Sequence, residues 1–357
     1  MTRYADFATA SNFSFLRGAS HARDLVAQAL GLGHAGIGIA DRNTVAGVVR
    51  AYAALNQLRG AGAIAATPER EGSGPGEYVL IEHPAPIVLK TEEIQKLAKA
   101  FKLVVGARLA FMDGTPDILV YPEDRAGWGR LCRLLTQGNR RAKKGECHLT
   151  LDDLLVETSH LLLVVMPERR LDGLAEVLAR LDEAAPGAVW LGATMHRRGD
   201  DRRRLSRLMD IARQTRLPLL ATNDVLYHAP EQRDLQDVMT CIREGETLES
   251  IGRRLDVNAE RHLKEPKEMA RLFKDAPEAI EETGNFLDRI SFSLDQLRYE
   301  YPDEPIPPGW SPQDWLEELV RKHGMIRYPD GVPQKVQDQV DEELALIREL
   351  NYARYFL

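Results

Sequence analysis

Short apolar runs recur along the 357-residue chain, and most are followed by a stretch of helical periodicity. The runs that predict strands are Asp6–Thr9, Gly36–Ala40, Leu103–Gly106, Ile118–Tyr121, Leu161–Val165, Val189–Gly192 and Leu217–Ala221. Leu161 to Val165 is unbroken apolar sequence, the signature of a parallel strand covered on both faces. Between the strands, Leu171, Leu174, Leu178 and Leu181 fall on one helical face, as do Leu205, Leu208, Met209 and Ala212. Thr91 before Glu92 and Glu93 reads as a capped helix start. Thr150, with Asp153 three residues later, reads the same way. Strands alternating with helices predict an α/β fold with a parallel sheet and crossover helices, as an open doubly wound sheet or a closed barrel. The absence of GxGxxG after the first strand lowers the dinucleotide-binding version.

Two segments break the alternation. Residues 67–78 (TPEREGSGPGEY) are rich in Gly, Pro and charge and read as a mobile surface loop. Residues 299–310 (YEYPDEPIPPGW) read as a linker or extended crossing segment. Ser311-Pro312 then opens a helix with Asp314 in its first turn, and Val336, Val340, Leu344 and Ile347 form one stripe of a last helix. From about Asn258 onward the pattern is mainly helical and predicts a separate unit. No internal repeat is apparent.

Charge and cysteine narrow the class. Lys and Arg total 47 against 54 Asp and Glu, a formal net charge of -7. That balance argues against a nucleic-acid-binding coat over the whole surface but leaves room for a local basic patch. Cys132, Cys147 and Cys241 have neither zinc nor redox spacing, so a reducing cytoplasmic compartment is expected. The segment Met1 to Asp6 has no apolar core of a signal peptide, and no run approaches the roughly 18 apolar residues of a membrane span. No membrane partner is expected.

Several segments, in shared order and spacing, resemble the N-terminal part of bacterial DNA polymerase III alpha subunits, especially the error-prone (ImuC-type) branch. They include YADFATASNFSFLRGASH (Tyr4 to His21), GIADRNTVAGVVRAY (Gly38 to Tyr52) and VVGARLAF (Val104 to Phe111). LLATNDVLYHAPEQRDLQDVMTCI (Leu219 to Ile242) and ELALIRELNYARYFL (Glu343 to Leu357) continue the match. The resemblance implies a PHP (polymerase and histidinol phosphatase) domain over 1–257, a distorted seven-stranded (β/α) barrel, with an insertion at about 62–102. It implies that 258–357 begin the thumb and palm region and stop short of the catalytic palm aspartates.

Active members of that family hold metals at the carboxyl ends of barrel strands with His, Asp, Glu and sometimes Cys, a set suited to phosphoester hydrolysis. Carried over, the first-strand ligand positions are Asp6, Ala8 and Ala10. The pair after the second strand is Asp41-Arg42. The glutamate after the next strand becomes Arg108, a further histidine becomes Asp117, and the Asp-x-His after the last strand becomes Asp224 and Leu226. Alanine and leucine offer a metal no lone pair, and a guanidinium does not ligate one. The site is therefore expected to bind no metal cluster, and Asp41, Asp224, Arg42 and Arg108 to form a buried ion-pair network. A single magnesium among Asp6, Asp41, Asp117 and Asp224 is the alternative that oxygen ligands permit.

Weaker candidates are Arg140, Arg141, Lys143 and Lys144, a cluster able to touch phosphates or simply a solvated loop. Arg197, Arg198 and Arg202 to Arg204 are similar, diluted by Asp200 and Asp201. None of the nine histidines falls on a ligand position. The helix carrying Trp315, Leu316, Leu319 and Val320 reads as core. The resemblance implies an error-prone, DNA-directed DNA polymerase active in damage-induced synthesis. It would act on DNA with the sliding clamp and other mutasome proteins and with magnesium in the full-length protein. This region alone is expected to be inactive and structural. A working metal-dependent phosphoesterase or 3′–5′ exonuclease, and a mutasome-docking module, are the rival readings.

Overall fold

The computed structural model describes residues 3–60, 87–297 and 305–357, with 77–81 in addition; for 77–81 and 87–91 it describes the backbone alone. Nine strands form two sheets. β1 (Ala5–Thr9), β2 (Gly36–Arg42), β5 (Lys102–Leu109), β6 (Ile118–Pro122), β7 (Leu161–Val165), β8 (Val189–Ala193) and β9 (Leu219–Ala221) lie side by side in that order. β3 (Glu77–Ile81) and β4 (Ile87–Lys90) pair antiparallel as a separate two-stranded sheet within the expected insertion. All seven strands expected from apolar runs are present, with ends shifted by up to three residues.

The all-parallel expectation needs correction. β6 runs antiparallel to both β5 and β7. No helix separates β5 from β6, so the chain turns back through Ala110–Asp117 instead of crossing over the sheet. The sheet nearly closes on itself. Beyond the strand ends, Val225 donates its backbone N–H to Ala8 at 2.7 Å, and Ala10 donates to Val225 at 2.9 Å. Side chains finish the seam, because Asp6 of β1 accepts from Thr222 Oγ1 at 2.9 Å and from the Asn223 N–H at 2.8 Å. A nearly closed barrel with one reversed strand is thus the observed form of the α/β class.

Helices α1 (Ala22–Gly31), α2 (Val48–Leu58), α3 (Thr91–Ala100) and α4 (Arg125–Arg140) follow strands of the first half. α5 (Leu151–Leu155), α6 (Leu174–Ala184) and α7 (Asp201–Thr215) belong to the second, and α8 (Arg233–Glu244), α9 (Pro266–Leu272) and α10 (Glu278–Arg289) come after the barrel. The helix starts read from sequence fall at α3 and α5. At α5, Thr150 Oγ1 accepts from the Asp153 N–H at 3.4 Å, and Asp153 accepts from the Thr150 N–H at 2.9 Å.

The barrel core carries a cluster of aromatic rings. Phe7 and Tyr121 face each other across the interior with ring centroids 5.7 Å apart. Gly38 makes room for them, since a Cβ there would lie 2.3 Å from the Tyr121 hydroxyl. α10 adds Phe286, 4.6 Å from Phe7 and 4.8 Å from Trp190, each an edge or tilted contact of the favoured kind.

The first compact unit runs to Gln296, so 258–296, placed by sequence in the helical unit, pack with the barrel. The second unit, Leu297–Leu357, contains α11 (Pro312–Arg327), α12 (Gln334–Glu349) and α13 (Ala353–Phe356) around buried Leu316, Ile347 and Ala353. The predicted loop at 67–78 lies outside the described residues except for Glu77 and Tyr78, which begin β3. Of the predicted linker, 299–304 lie outside them.

Candidate functional site

The ligand positions named from sequence gather at one end of the barrel, where β1, β2, β5 and β9 end and β6 begins. There they form a lattice of ion pairs. Arg42 Nη1 donates to Asp117 at 3.0 Å. Arg108 Nε donates to the same Asp117 oxygen at 2.7 Å, and Arg108 Nη1 donates to Asp224 at 2.6 Å. Arg261 Nη2 then donates to the other Asp224 oxygen at 2.6 Å. Arg261 also pairs with Asp256 at 3.4 Å, and Arg198 with Asp256 at 2.6 Å.

Burial decides how much of this matters. Arg108, Asp224 and Arg261 keep only 20%, 16% and 18% of their side-chain surface, whereas Arg42 keeps 34%. Burial of Asp224 opposes its ionisation, but the flanking guanidiniums of Arg108 and Arg261 outweigh that and hold its carboxyl well below the usual range. Burial likewise opposes the charge on Arg108, and Asp224 and Asp117 overcome it, raising its pKa. Asp224 also occupies the left-handed region at φ 47, which Asp tolerates better than most residues.

Asp41, expected in this lattice, stands outside it. One of its oxygens accepts from the Ser11 N–H at 2.8 Å and from Ser14 Oγ at 2.7 Å, and the other accepts from Ser11 Oγ at 2.8 Å. The carboxylate is fully buried, and burial raises its pKa despite the serine hydrogen bonds. Asp41 thereby anchors the loop after β1, and Asp117 takes its expected place among the arginines. Asp6 is similarly committed: besides the seam bonds, it accepts from Tyr4 Oη at 2.8 Å and the Ala8 N–H at 2.9 Å.

These commitments do not fit a metal cluster. Each carboxylate is already satisfied by guanidinium, hydroxyl or N–H donors, and among the described residues no three His, Cys, Asp or Glu side chains converge as a ligand set. A cavity of about 250 Å³ remains at this end, with Ala10 and Leu226 in its wall beside Arg17, Arg42, Arg108 and Asp224. His196, buried nearby, directs Nε2 at the Asn223 carbonyl 2.8 Å away, and burial followed by repulsion from Arg261 lowers its pKa. It is held as a neutral packing group.

The surface cluster divides. Arg141 is neutralised by Asp153, which it grips at 2.7 and 2.8 Å. Arg140 is exposed at the end of α4. Lys143 and Lys144 instead line a groove with Phe13, Phe15, Arg17 and Arg42. Sequence reasoning missed Arg261, Asp256, Arg17 and the two serines, and named Arg198 only as part of a diluted basic cluster. The serines and Arg17 had a local signal in the SNFSFLR segment; Arg261 and Asp256 reach the site from a distant part of the chain and had none.

No family model matches the chain. It is 49% identical over 99% of its length to a protein named error-prone DNA polymerase from Bradyrhizobium sp. (strain ORS 278), covering 28% of that protein. The corresponding values are 48%, 99% and 29% for one from Rhodopseudomonas palustris (strain BisB5), and 47%, 100% and 30% for one from Brucella abortus biovar 1. The chain therefore spans less than a third of the length of these relatives. Among solved structures, a chain described as a metal-dependent phosphoesterase from Bifidobacterium adolescentis aligns with a TM-score of 0.37 at 16% identity, covering 63% of this chain and 88% of that one. An amidohydrolase from Chromobacterium violaceum aligns with a TM-score of 0.36 at 12% identity and the same coverage. The architecture described here rests on the strand order itself.

Proposed function

We propose that this chain is the N-terminal region of an error-prone, DNA-directed DNA polymerase of the ImuC type, used in damage-induced synthesis across lesions. The observation that carries this reading is identity of 47% to 49% along essentially the whole chain with proteins of that name. Within such a polymerase the barrel is a support: its former metal end is filled by arginine–aspartate pairs, and the two-unit chain leads from the barrel into the thumb and palm. The parent acts in the cytoplasm on DNA, with magnesium at carboxylates elsewhere in the protein and with the sliding clamp and other mutasome proteins as partners.

The test has two arms. The full-length gene product is expected to extend a primed template opposite a lesion, and absence of template-directed incorporation overturns the polymerase reading. The isolated chain is expected to neither extend primers nor remove 3′ nucleotides, because its barrel-end carboxylates are already committed to arginine, hydroxyl and N–H donors. Elemental analysis checks the same point: two or more equivalents of zinc, manganese or iron per chain, with metal-dependent nuclease activity, would establish the phosphoesterase reading instead. Restoring histidine at Ala8 and Ala10 together is expected to leave the chain without nuclease activity, since Arg42 and Arg108 still occupy ligand positions.

A further inference from the structure

Beside the barrel end lies a groove of about 810 Å³ between the loop Ser11–Ala19 and the segment after α4. Its lining combines two chemistries. Phe13 and Phe15 present rings that are 36% and 81% exposed, and Met112 is 64% exposed. Among the described residues neither phenylalanine packs against another aromatic ring. Arg17, Lys143 and Lys144 supply cations with no carboxylate partner among the described residues. The groove's single acid, Glu146, is taken by His148 at 3.2 Å.

Exposed phenylalanines usually signal a floppy loop, but this loop is fixed at both ends. Asp41 grips Ser11 and Ser14 through three hydrogen bonds. Phe13 donates its N–H to Ser11 Oγ at 3.2 Å, Ala19 donates to the Leu226 carbonyl at 2.7 Å, and Arg243 Nη1 donates to the Leu16 carbonyl at 2.9 Å. On the opposite wall, Asn43 holds Ala110 by accepting from its N–H at 2.9 Å. The rings are therefore presented on a preformed platform, which lowers the ordering cost of binding. Arg17 carries the complementary message. Burial, and then repulsion from Arg42 and Arg243, lowers its pKa to about 10. Attraction from Asp117 offsets this only in part, and no carboxylate among the described residues forms an ion pair with Arg17.

We propose that this groove binds a short stretch of single-stranded nucleic acid, with unpaired bases stacked on Phe13 and Phe15 and the backbone phosphates against Arg17, Lys143 and Lys144. Flat hydrophobic faces beside cations that form no ion pair among the described residues match a strand in which bases alternate with phosphates, and stacking tolerates any base sequence. A duplex hides the base faces the phenylalanines need. The inference stands on the groove alone and does not require the polymerase reading.

Fluorescence anisotropy on the complete chain with a labelled oligothymidylate of about 12 nucleotides tests it. Binding is expected to be tighter than to a duplex of equal length and to weaken with salt at a log–log slope of about -2 for three phosphate contacts. Phe15→Ala should lower affinity roughly tenfold with the salt slope unchanged. Lys143→Ala with Lys144→Ala should lower affinity and reduce the slope by about 1.4. Arg140→Ala, outside the groove, should change neither by more than twofold. Melting temperatures of all variants should stay near the parent's, because every altered side chain is on the surface. No saturable binding at about 50 mM salt overturns the proposal, as does equal or tighter binding of duplex. So does an affinity indifferent to Phe15→Ala, or tight capture of an acidic, aromatic peptide that the oligonucleotide cannot displace.

Discussion

Arg108 is the residue on which the ion-pair lattice at the barrel end turns. It bridges two carboxylates, Asp117 and Asp224, from a buried position. Arg108→Ala removes the bridge and leaves both acids under-compensated, at an expected cost of about 3 kcal/mol. Arg42, more open to water and paired once, should cost about 1 kcal/mol or less as alanine. Denaturant titration of the two variants reads the difference, and equal stabilities for Arg108→Ala and the parent would remove the ion-pair account. Asp224 and Asp41 also predict opposite pH behaviour. Asp224 has a depressed folded pKa, so its stabilising contribution is complete above the ordinary carboxylate range and drains away as pH falls below it. Asp41 has a raised folded pKa, so its contribution is greatest in acid and declines as pH rises from about 4 through the raised value. The stability gap between parent and Asp224→Asn should therefore shrink toward acid. That between parent and Asp41→Asn should move in the variant's favour toward neutral pH, since asparagine can keep the serine bonds without a buried charge. Parallel pH trends for the two variants would contradict this assignment.

At the scale of elements, the loop after β1 is held against the barrel by close backbone packing. Gly18 packs so closely that a Cβ would lie 2.1 Å from the Ser11 carbonyl oxygen and 2.7 Å from that of Ala10, both backbone atoms. Gly18→Ala must push the loop away from Asp41. A loss of roughly 1–3 kcal/mol is expected, the range for overpacking. Oligonucleotide affinity should fall with it because Phe13 and Phe15 ride on the same loop. A variant as stable and as tightly binding as the parent would show the loop to be softer than its hydrogen bonds indicate. The same elements mark what the sequence could and could not disclose. Strands such as β7 were legible because a doubly covered strand is unbroken apolar sequence. The reversal of β6 was not, because an apolar run has no direction. The arginine positions could be placed by alignment of local motifs, yet their partners could not. Asp41, near the end of β2, and Asp117, just before β6, are both acids at one barrel end, and only the fold shows that serines reach the first and guanidiniums the second. Arg261 lies 37 residues beyond the Asp224 it grips and belongs to no pattern that points there.

For the whole molecule, the contrast between its two units leads to a prediction about cooperativity. The unit ending at Gln296 buries one continuous core that includes Phe7, Tyr121, Trp190 and Phe286. The unit from Leu297 rests on three buried side chains, Leu316, Ile347 and Ala353. A core that small offers little to offset the conformational entropy of ordering three helices. Its own sequence gives helix caps, with Ser311 Oγ accepting from the Asp314 N–H at 3.1 Å, but local bonds of this kind contribute only about 1 kcal/mol each. The second unit is therefore expected to unfold first, as a separate step, with the barrel persisting to higher denaturant. The four tryptophans allow this to be seen. Trp310 and Trp315 pair edge to face at 5.6 Å in the second unit, while Trp190 is buried and Trp128 stacks on Phe292 at 5.1 Å in the first. In the parent, fluorescence should change in two phases across a urea series. In a variant with Trp310→Phe and Trp315→Phe, the early phase should vanish and the late one stay in place, and removing residues 297–357 should leave the late midpoint within about 0.5 M of the parent's. A single transition shared by all four tryptophans, or a barrel that fails to fold without the second unit, would show that the two are stabilised together.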